Sequence, residues 1–381
     1  MSHTSSLSCS RPTYSRSVRR YRRKPKMGYK DVVSRAWRDN ILMSALVELT
    51  YHCNLDCFYC YNDRGLDGLP LTNEQLEALL DDLAELQVLH LTLTGGEPLA
   101  HPHFFALGAR ARELGFVVRL KSNGHVLGGR IARRLRDEVD PFLIELSLHG
   151  SCSATHDRQT RIKSSFERLL GNIEEAMSLG LRLKLNATLT AWNEHEIEPM
   201  FALADRLGLS LAFSPTVTPR DDGDRAPLSI APSRKGVLRL YRVLDQRCPD
   251  EAGALAAGCQ PAPTTDKNCG AGSSGIAIDP HGNVYPCVQW RRSLGNLHER
   301  SLLDIWQGSS ALEEIRTLTI AARQKRESLG AVGHCISFCP GLSEERTGDP
   351  LGIESDALSN AELLLKVRTE GHRKKLPLLE D

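Results

Sequence analysis

The 381-residue chain lacks several things, and each absence narrows its role. It lacks a charge imbalance: 48 Lys+Arg stand against 47 Asp+Glu, so no global field points to a nucleic-acid partner. It lacks any apolar run near the ~18–20 residues that cross a bilayer, which excludes a helical membrane span. It lacks an apolar segment after its basic N-terminal stretch (Arg16, Arg19, Arg20, Arg22, Arg23, Lys24, Lys26), which excludes a secretory signal peptide. Residues 1–26 read as a disordered tail, or as translation assigned upstream of a true start at Met27; the competing reading is a basic arm for an acidic partner. No spacing gives a paired-carboxylate or Ser/His/Asp signature, so no catalytic residue or protein general base is named. What the chain does have is cysteine, 11 in all. Most of them fall into two groups whose spacings are those of metal ligands rather than of a short secreted disulfide scaffold, which argues for a reducing cytoplasm and for iron or zinc.

The length fits two domains, and 41% apolar with 25% charged residues permits a sizeable core. From residue 45 a repeat of short apolar runs begins, at 45–49, 88–93, 117–120, 142–148, 181–189 and 209–213. Each precedes a segment of helical period: 72–86, 103–114, 128–137, 166–179, 194–207 and 233–246. Thr72 and Gln75 form a capping box ahead of the apolar stripe Leu76, Leu79, Leu80 and Leu83. Gly115, Gly180 and Gly208 stand where helix C-caps belong. Six β/α units in sequence predict a parallel sheet with helices outside it, an incomplete barrel, with chemistry at the C-terminal ends of the strands.

The loop after the first strand reads Cys53-Asn54-Leu55-Asp56-Cys57-Phe58-Tyr59-Cys60. Three thiolates on one loop can wrap one face of a cubane cluster, leaving the fourth iron open to a small molecule. Structural zinc would instead need a fourth ligand, for which His52 and Asp56 are the candidates. After the second strand comes Thr94-Gly95-Gly96-Glu97-Pro98. Its glycines allow close backbone approach to a ligand and Glu97 offers an acceptor for an ammonium group, although a plain strand-to-helix turn uses similar residues.

On these residues the chain resembles the radical S-adenosylmethionine (SAM) enzymes. The family's Cys-x3-Cys-x-aromatic-Cys motif is matched by Cys53, Cys57, Tyr59 and Cys60, and its methionine-amine motif by Gly95, Gly96, Glu97 and Pro98. The resemblance covers residues 45–213. It implies a partial (β/α)6 barrel and a [4Fe–4S] cluster whose open iron is chelated by SAM. It also implies reductive cleavage of SAM to a 5′-deoxyadenosyl radical that abstracts hydrogen from a substrate. By the same analogy Ser122-Asn123-Gly124, Ser147, Asn186 and Thr188 line the SAM pocket; a plain turn and ordinary lumen-facing residues are the alternatives.

Beyond the barrel stand Cys259, Cys269, Cys287, Cys335 and Cys339. Residues 275–278 and 284–285 read as a hairpin turning at Asp279-Pro280-His281-Gly282-Asn283. Cys269, Gly282-x4-Cys287 and Cys335-x3-Cys339, with Gly295-Asn296 and a helix at 301–306, resemble the small α+β accessory domain of SPASM and Twitch radical SAM enzymes. The Cys-x2-Cys pair before Cys335 and any cysteine after Cys339 are missing. The resemblance therefore implies one auxiliary [4Fe–4S] cluster held by four of the five cysteines, with structural zinc as the alternative. Cys9, Cys152 and Cys248 read as ordinary thiols. His149, His156 and the turn Arg220–Asp224 read equally as barrel-mouth contacts or as ordinary structure.

The expected organisation is a basic, disordered arm at 1–44, a barrel at 45–248, an auxiliary domain at 249–345 and a helical tail at 346–381. For this architecture the family implies a ribosomally made peptide as substrate, with cofactor or modified-haem synthesis as the alternative and an iron–sulfur electron carrier as a remote one. Only 44 residues precede the barrel and they do not read as a winged helix, so any leader recognition is expected from a separate leader-peptide-binding protein or from the accessory domain. The other expected partner is an external electron donor such as flavodoxin or ferredoxin, with no nucleic acid and no membrane.

Overall fold

The computed structural model describes residues 28–62, 65, 68–247 and 265–375. Its elements run α1 (Tyr29–Asp39), β1 (Ser44–Glu48), α2 (Asn73–Glu85), β2 (His90–Thr94), α3 (Phe104–Glu113), β3 (Val117–Ser122), α4 (Gly129–Arg134), β4 (Leu143–Ser147), α5 (Ser153–Thr160), α6 (Ser165–Ser178), β5 (Leu183–Thr188), α7 (Ile197–Leu207), β6 (Leu211–Ser214) and α8 (Arg234–Arg247). There follow β7 (Gly275–Ile278), β8 (Asn283–Tyr285), β9 (Gly295–Asn296), α9 (Leu302–Gly308), α10 (Ser310–Ser328), α11 (Pro340–Thr347) and α12 (Ser355–Lys375).

Strands β1 to β6 pair in parallel in chain order, as the six-unit repeat predicts, and form a partial barrel with helices outside it. The local signals behave as their chemistry requires. The Thr72 hydroxyl accepts from the Gln75 N–H at 3.3 Å while the Gln75 carboxamide accepts from the Thr72 N–H at 3.0 Å. Leu76, Leu79, Leu80 and Leu83 are buried. Strand alternation sorts the two faces: Leu146 of β4 meets Leu169 of α6 over Gly124, so Glu145 and Ser147 turn to the concave face.

The accessory hairpin does more than pack beside the barrel mouth. β7 pairs in parallel with β1, Ser44 opposite Gly275 and Val47 opposite Ile278, so the barrel sheet runs on without a break into β8 and β9. Its turn is organised by Asp279, whose buried carboxylate accepts from the N–H groups of His281 and Asn283, each at 2.9 Å, and from the Tyr285 hydroxyl at 3.1 Å.

Residues 29–39 correct the expectation of a disordered arm through residue 44. Basic composition ends at Lys26, and the segment after it forms α1, capped by Asp31 on the Gly28 N–H at 2.9 Å. Its C-terminal end is tied down by the Lys267 ammonium, which donates to the Trp37 carbonyl at 2.7 Å and to Asn40 Oδ1 at 2.5 Å. α10 lies between the hairpin and Cys335, burying Leu312, Ile315, Thr319 and Ala322. α12 packs on α8 and on the 3-10 turn Val332–His334. Among the described residues no helix is long and apolar enough to cross a membrane.

Candidate cluster and cofactor site

The cysteine loop leaves β1 at the C-terminal edge of the sheet, and the Gly-Gly turn leaves β2 beside it. The reason for two glycines is visible in the backbone. A Cβ on Gly95 would lie 2.3 Å from the Thr50 carbonyl oxygen, and one on Gly96 2.3 Å from that of His52. Gly95 also has φ +127°, which side chains disfavour. With both side chains absent, the Gly96 N–H reaches Thr50 O at 2.7 Å and the Glu97 N–H reaches His52 O at 2.9 Å. The turn therefore braces the root of the cysteine loop.

The far side of that loop is braced by α5. The N–H groups of Asp56 and Phe58 donate to the carbonyls of Thr160 and Gln159, at 3.1 and 3.0 Å. Arg220 Nη1 and Nη2 reach the carbonyls of Cys60 and Phe58 at 3.4 and 3.3 Å, and the Asp221 N–H donates to Tyr61 O at 2.8 Å. The turn Arg220–Asp224 is thus a clamp on the cysteine loop rather than a solvated turn. None of Cys53, Cys57 and Cys60 is in a disulfide. Leu55 N–H and Asn123 Nδ2 are aimed at Cys53 Sγ, at 3.5 and 3.6 Å. Three cysteines outside any disulfide, on a braced loop with N–H donors at a sulfur, fit an iron–sulfur cluster. Among the described residues no three His, Cys, Asp or Glu side chains converge on a single-ion site, and Asp56 is engaged by Arg161 Nη1 at 3.2 Å.

Glu97 faces inward. Its carboxylate has no exposed surface and accepts from Ser122 Oγ at 3.0 Å, from Asn123 N–H at 2.9 Å and from Leu99 N–H at 3.1 Å. Burial nevertheless pushes its pKa up to about 7, the three donors working against that rise. Ser122 and Glu97 are therefore engaged with each other, and Asn123, through Nδ2 on Asn54 Oδ1 at 2.8 Å, links this knot to the cysteine loop.

Tyr59, the motif aromatic, is held by its hydroxyl. It donates to His149 Nδ1 at 2.6 Å and is also bonded by Thr188. Burial holds the phenol well above its usual range and the His149 imidazole well below its own, so the histidine stays a neutral acceptor. His149 is itself fixed: its N–H donates to His156 Nδ1 at 3.2 Å, and its carbonyl accepts from Gln159 Nε2 at 2.7 Å and from Asn193 Nδ2 at 3.1 Å.

On the concave face Ser147 lies opposite Asn186 in register, and Thr188 follows two residues on. Asn186 Nδ2 donates to Glu145 Oε2 at 2.7 Å. Glu145 in turn sits in register between Lys121 and Lys184, with Arg119 at 3.8 Å. This charged layer carried no sequence signal, because single lysines on alternating strands look like solvent-facing residues.

A second unforeseen feature joins the two halves of the sheet. Glu48, at the end of β1, is fully buried and receives Arg291 in a fork, Nη1 to Oε2 at 2.9 Å and Nη2 to Oε1 at 3.2 Å. Arg291 Nη2 also reaches Asp221 Oδ2 at 2.8 Å, and Tyr61 OH reaches Glu48 Oε1 at 3.4 Å. One guanidinium four residues after Cys287 thus grips β1, the loop after β6 and, through Tyr61, the end of the cysteine loop. Beside it a cavity of about 420 Å³ opens between the loop after β6 and the accessory domain, with Tyr61, Arg220, Trp290, Arg291, Gly341 and Glu345 in its wall.

Cys269, Cys287 and Cys339 are brought together. Burial pushes the Cys269 thiol up to about 11 and raises Cys287 and Cys339 as well, with Cys339 and Cys269 adding electrostatically to Cys287. To act as thiolate ligands these buried groups would need a cationic partner, which the irons of a cluster would supply. Cys335, four residues before Cys339, closes the 3-10 turn Val332–His334. Cys259 lies outside the described residues, as do Cys9 and Cys248. Cys152 is exposed, and its thiol lies against Thr155 and Glu196.

Comparison with known proteins finds two family matches in the chain. Residues 47–204 match the model of the radical SAM superfamily, and residues 269–336 match the SPASM iron–sulfur cluster-binding domain. The PqqA peptide cyclase of Rhizobium meliloti is 31% identical over 72% of this chain and 76% of its own length. The chain belongs to the radical SAM superfamily and carries a SPASM domain. It is similar also to the AdoMet-dependent heme synthase of Methanosarcina barkeri, 25% identical over 81% of this chain and 93% of that protein. Among solved structures, native anSMEcpe with bound AdoMet shares the fold at TM-score 0.67 and 16% identity, covering 87% of this chain and 100% of that one. This radical SAM enzyme therefore works with [4Fe–4S] clusters and SAM.

Proposed function

We propose that this radical SAM enzyme modifies a ribosomally synthesised peptide. Cys53, Cys57 and Cys60 would hold the cluster with the open iron, and the turn Gly95–Pro98 with Tyr59, Ser122, Asn123, Ser147, Asn186 and Thr188 would surround SAM. The observation that carries this assignment is the backbone contact of the two motifs, Gly96 N–H on Thr50 and Glu97 N–H on His52, at the strand ends where a parallel barrel does its chemistry. When bound to the reduced cluster, SAM supplies a 5′-deoxyadenosyl radical that takes a hydrogen atom from the substrate. The chain's own part is to fix the loop from two sides, to orient Tyr59 through His149 and Thr188, and to line the barrel with the polar layer around Glu145. An auxiliary cluster would be held by Cys269, Cys287 and Cys339, with Cys335 or Cys259 as the fourth ligand. The low-potential donor would be a flavodoxin or ferredoxin, and leader recognition would come from a separate protein or from the accessory domain.

The peptide reading rests on similarity to the PqqA peptide cyclase and to the mycofactocin maturase of Mycobacterium tuberculosis, 28% identical over 76% of this chain. The greater coverage of the heme synthase similarity favours a second reading, a haem or cofactor precursor as substrate. One experiment tests both levels. Anaerobically reconstituted protein with dithionite and SAM should form 5′-deoxyadenosine and hold about eight irons, four per cluster. Cys57→Ala should abolish that formation and keep the auxiliary cluster's Mössbauer signal. Wild-type rates in Cys57→Ala would refute the cluster assignment. A mass change in a short peptide encoded beside the gene supports the peptide reading, and turnover of a tetrapyrrole with no such change overturns it.

A further inference from the structure

The C-terminal helix α12 reaches back to the auxiliary cysteines with a single cation. Arg368 Nη1 lies 3.2 Å from Cys335 Sγ. Arg368 forms no ion pair with a carboxylate among the described residues, whereas Arg234 and Arg242, on α8, pair with Glu362 and Glu370 of the same helix. Those pairs, with the contact of α12 on α8, fix the helix from one side. On the other side Ala361 joins a small buried cluster with Ala322, Ile336 and Phe338, against which Cys335, Val332 and Ala357 pack. The helix is therefore held on both sides of the Cys335 turn, and the guanidinium is delivered to one sulfur. Position 368 lies 32 residues beyond the end of the matched SPASM segment at residue 336, so nothing in that match assigns it a role.

We infer that Arg368 is a tuning residue for the auxiliary cluster, donating a charge-assisted hydrogen bond to the sulfur of Cys335. The inference rests on the reading that Cys335 is a ligand of that cluster. A hydrogen bond to a ligand sulfur draws electron density from the iron–sulfur core, and a positive charge beside it favours the more negative, reduced state. Both effects raise the reduction potential. In the step concerned one electron passes from the reductant, dithionite in the assay, to the cluster; no bond forms or breaks, and Arg368 keeps its proton. Among the described residues, Arg326 acts electrostatically on Cys269, and Glu354 acts on Cys339. Arg368 is the cation that reaches Cys335 through a hydrogen bond.

The test is an EPR-monitored redox titration of the full-length, reconstituted enzyme, following the cluster whose signal does not change when SAM is added. Arg368→Met should make that cluster harder to reduce by about tenfold in the equilibrium constant, ~59 mV for a one-electron couple. The SAM-sensitive cluster should not move. Arg368→Gln, which keeps polarity and helix propensity but not charge, should shift in the same direction and serves if the Met variant loses iron. An unchanged midpoint in either variant at wild-type iron content overturns the inference while leaving the ligand reading intact. Cys335→Ala separates the two: loss of the SAM-insensitive signal supports ligation, and an intact signal at wild-type iron content overturns both the ligand reading and the role of Arg368.

Discussion

Replacing Arg291 by Met tests how the accessory domain is joined to the barrel. Glu48 has no exposed surface, and its carboxylate depends on the two-pronged guanidinium with one long contact from Tyr61. The substitution leaves that carboxylate buried beside Asp221, whose charge Arg291 also balances. Breaking a buried pair by removing one partner costs about 3–5 kcal/mol, against the ~0–1 kcal/mol of an exposed pair. Arg291 keeps 18% of its side-chain surface, so the lower end of that range is expected. The double variant Glu48→Gln/Arg291→Met removes the stranded charge and should recover more than half of the loss, a coupling of about 2 kcal/mol. The readouts are the thermal midpoint of the apo chain, to keep cluster loss out of the transition, and iron content of the reconstituted protein. A single variant as stable as wild type would show that solvent already screens Glu48. A double variant no better than the single would show that Arg291 acts by packing on Tyr285, over whose ring its Cζ lies at 5.0 Å, and not by charge.

Glu97 should give the enzyme a pH signature. Its folded pKa of about 7 lies above the unfolded 4.5, so the native state binds the extra proton; its contribution is fully present below pH 4.5 and lost as pH rises to 7, about 3 kcal/mol in all. Subtracting the stability of Glu97→Gln from that of wild type at each pH should show this decline, and a flat difference from pH 4.5 to 7 would refute it. His149→Phe removes the acceptor of a buried phenol and should cost about 1–3 kcal/mol while weakening SAM binding, measured by calorimetry, at unchanged iron content; wild-type SAM affinity in that variant would mean that Thr188 alone holds Tyr59.

What could be read from the sequence was whatever depends on one segment at a time. The capping box at Thr72 and Gln75, the strand periodicity and the cysteine spacings are local, and each stands where its pattern puts it. Even the hairpin at 275–285 was local, since Asp279 satisfies its own turn. The side to which a residue's chemistry is turned was not legible. Gly95 and Gly96 suggested a close backbone approach to a ligand, and the sequence did not show that the carbonyls of Thr50 and His52 lie against their Cα atoms. Glu97 suggested an acceptor for an ammonium group, and the sequence did not show the three protein donors that converge on it. Arg220 suggested a solvent turn or a substrate contact, yet it reaches the carbonyls of Cys60 and Phe58.

These contacts share a cause. A loop that presents three thiolates must give up regular structure, and its backbone groups then need partners from elsewhere, because unpaired buried N–H and C=O groups are costly. The partners come from the turn after β2, the end of α5 and the loop after β6, which are distant in sequence and meet only because the parallel strands all end on one side. The same geometry explains Glu48 and Arg291, 243 residues apart in sequence. β7 pairs with β1, so the chain after Cys287 returns to the strand that launches the cysteine loop. Position in the sheet assigned those roles, and a single sequence does not show which strand lies next to β1 until its 275–278 segment has been seen to pair there.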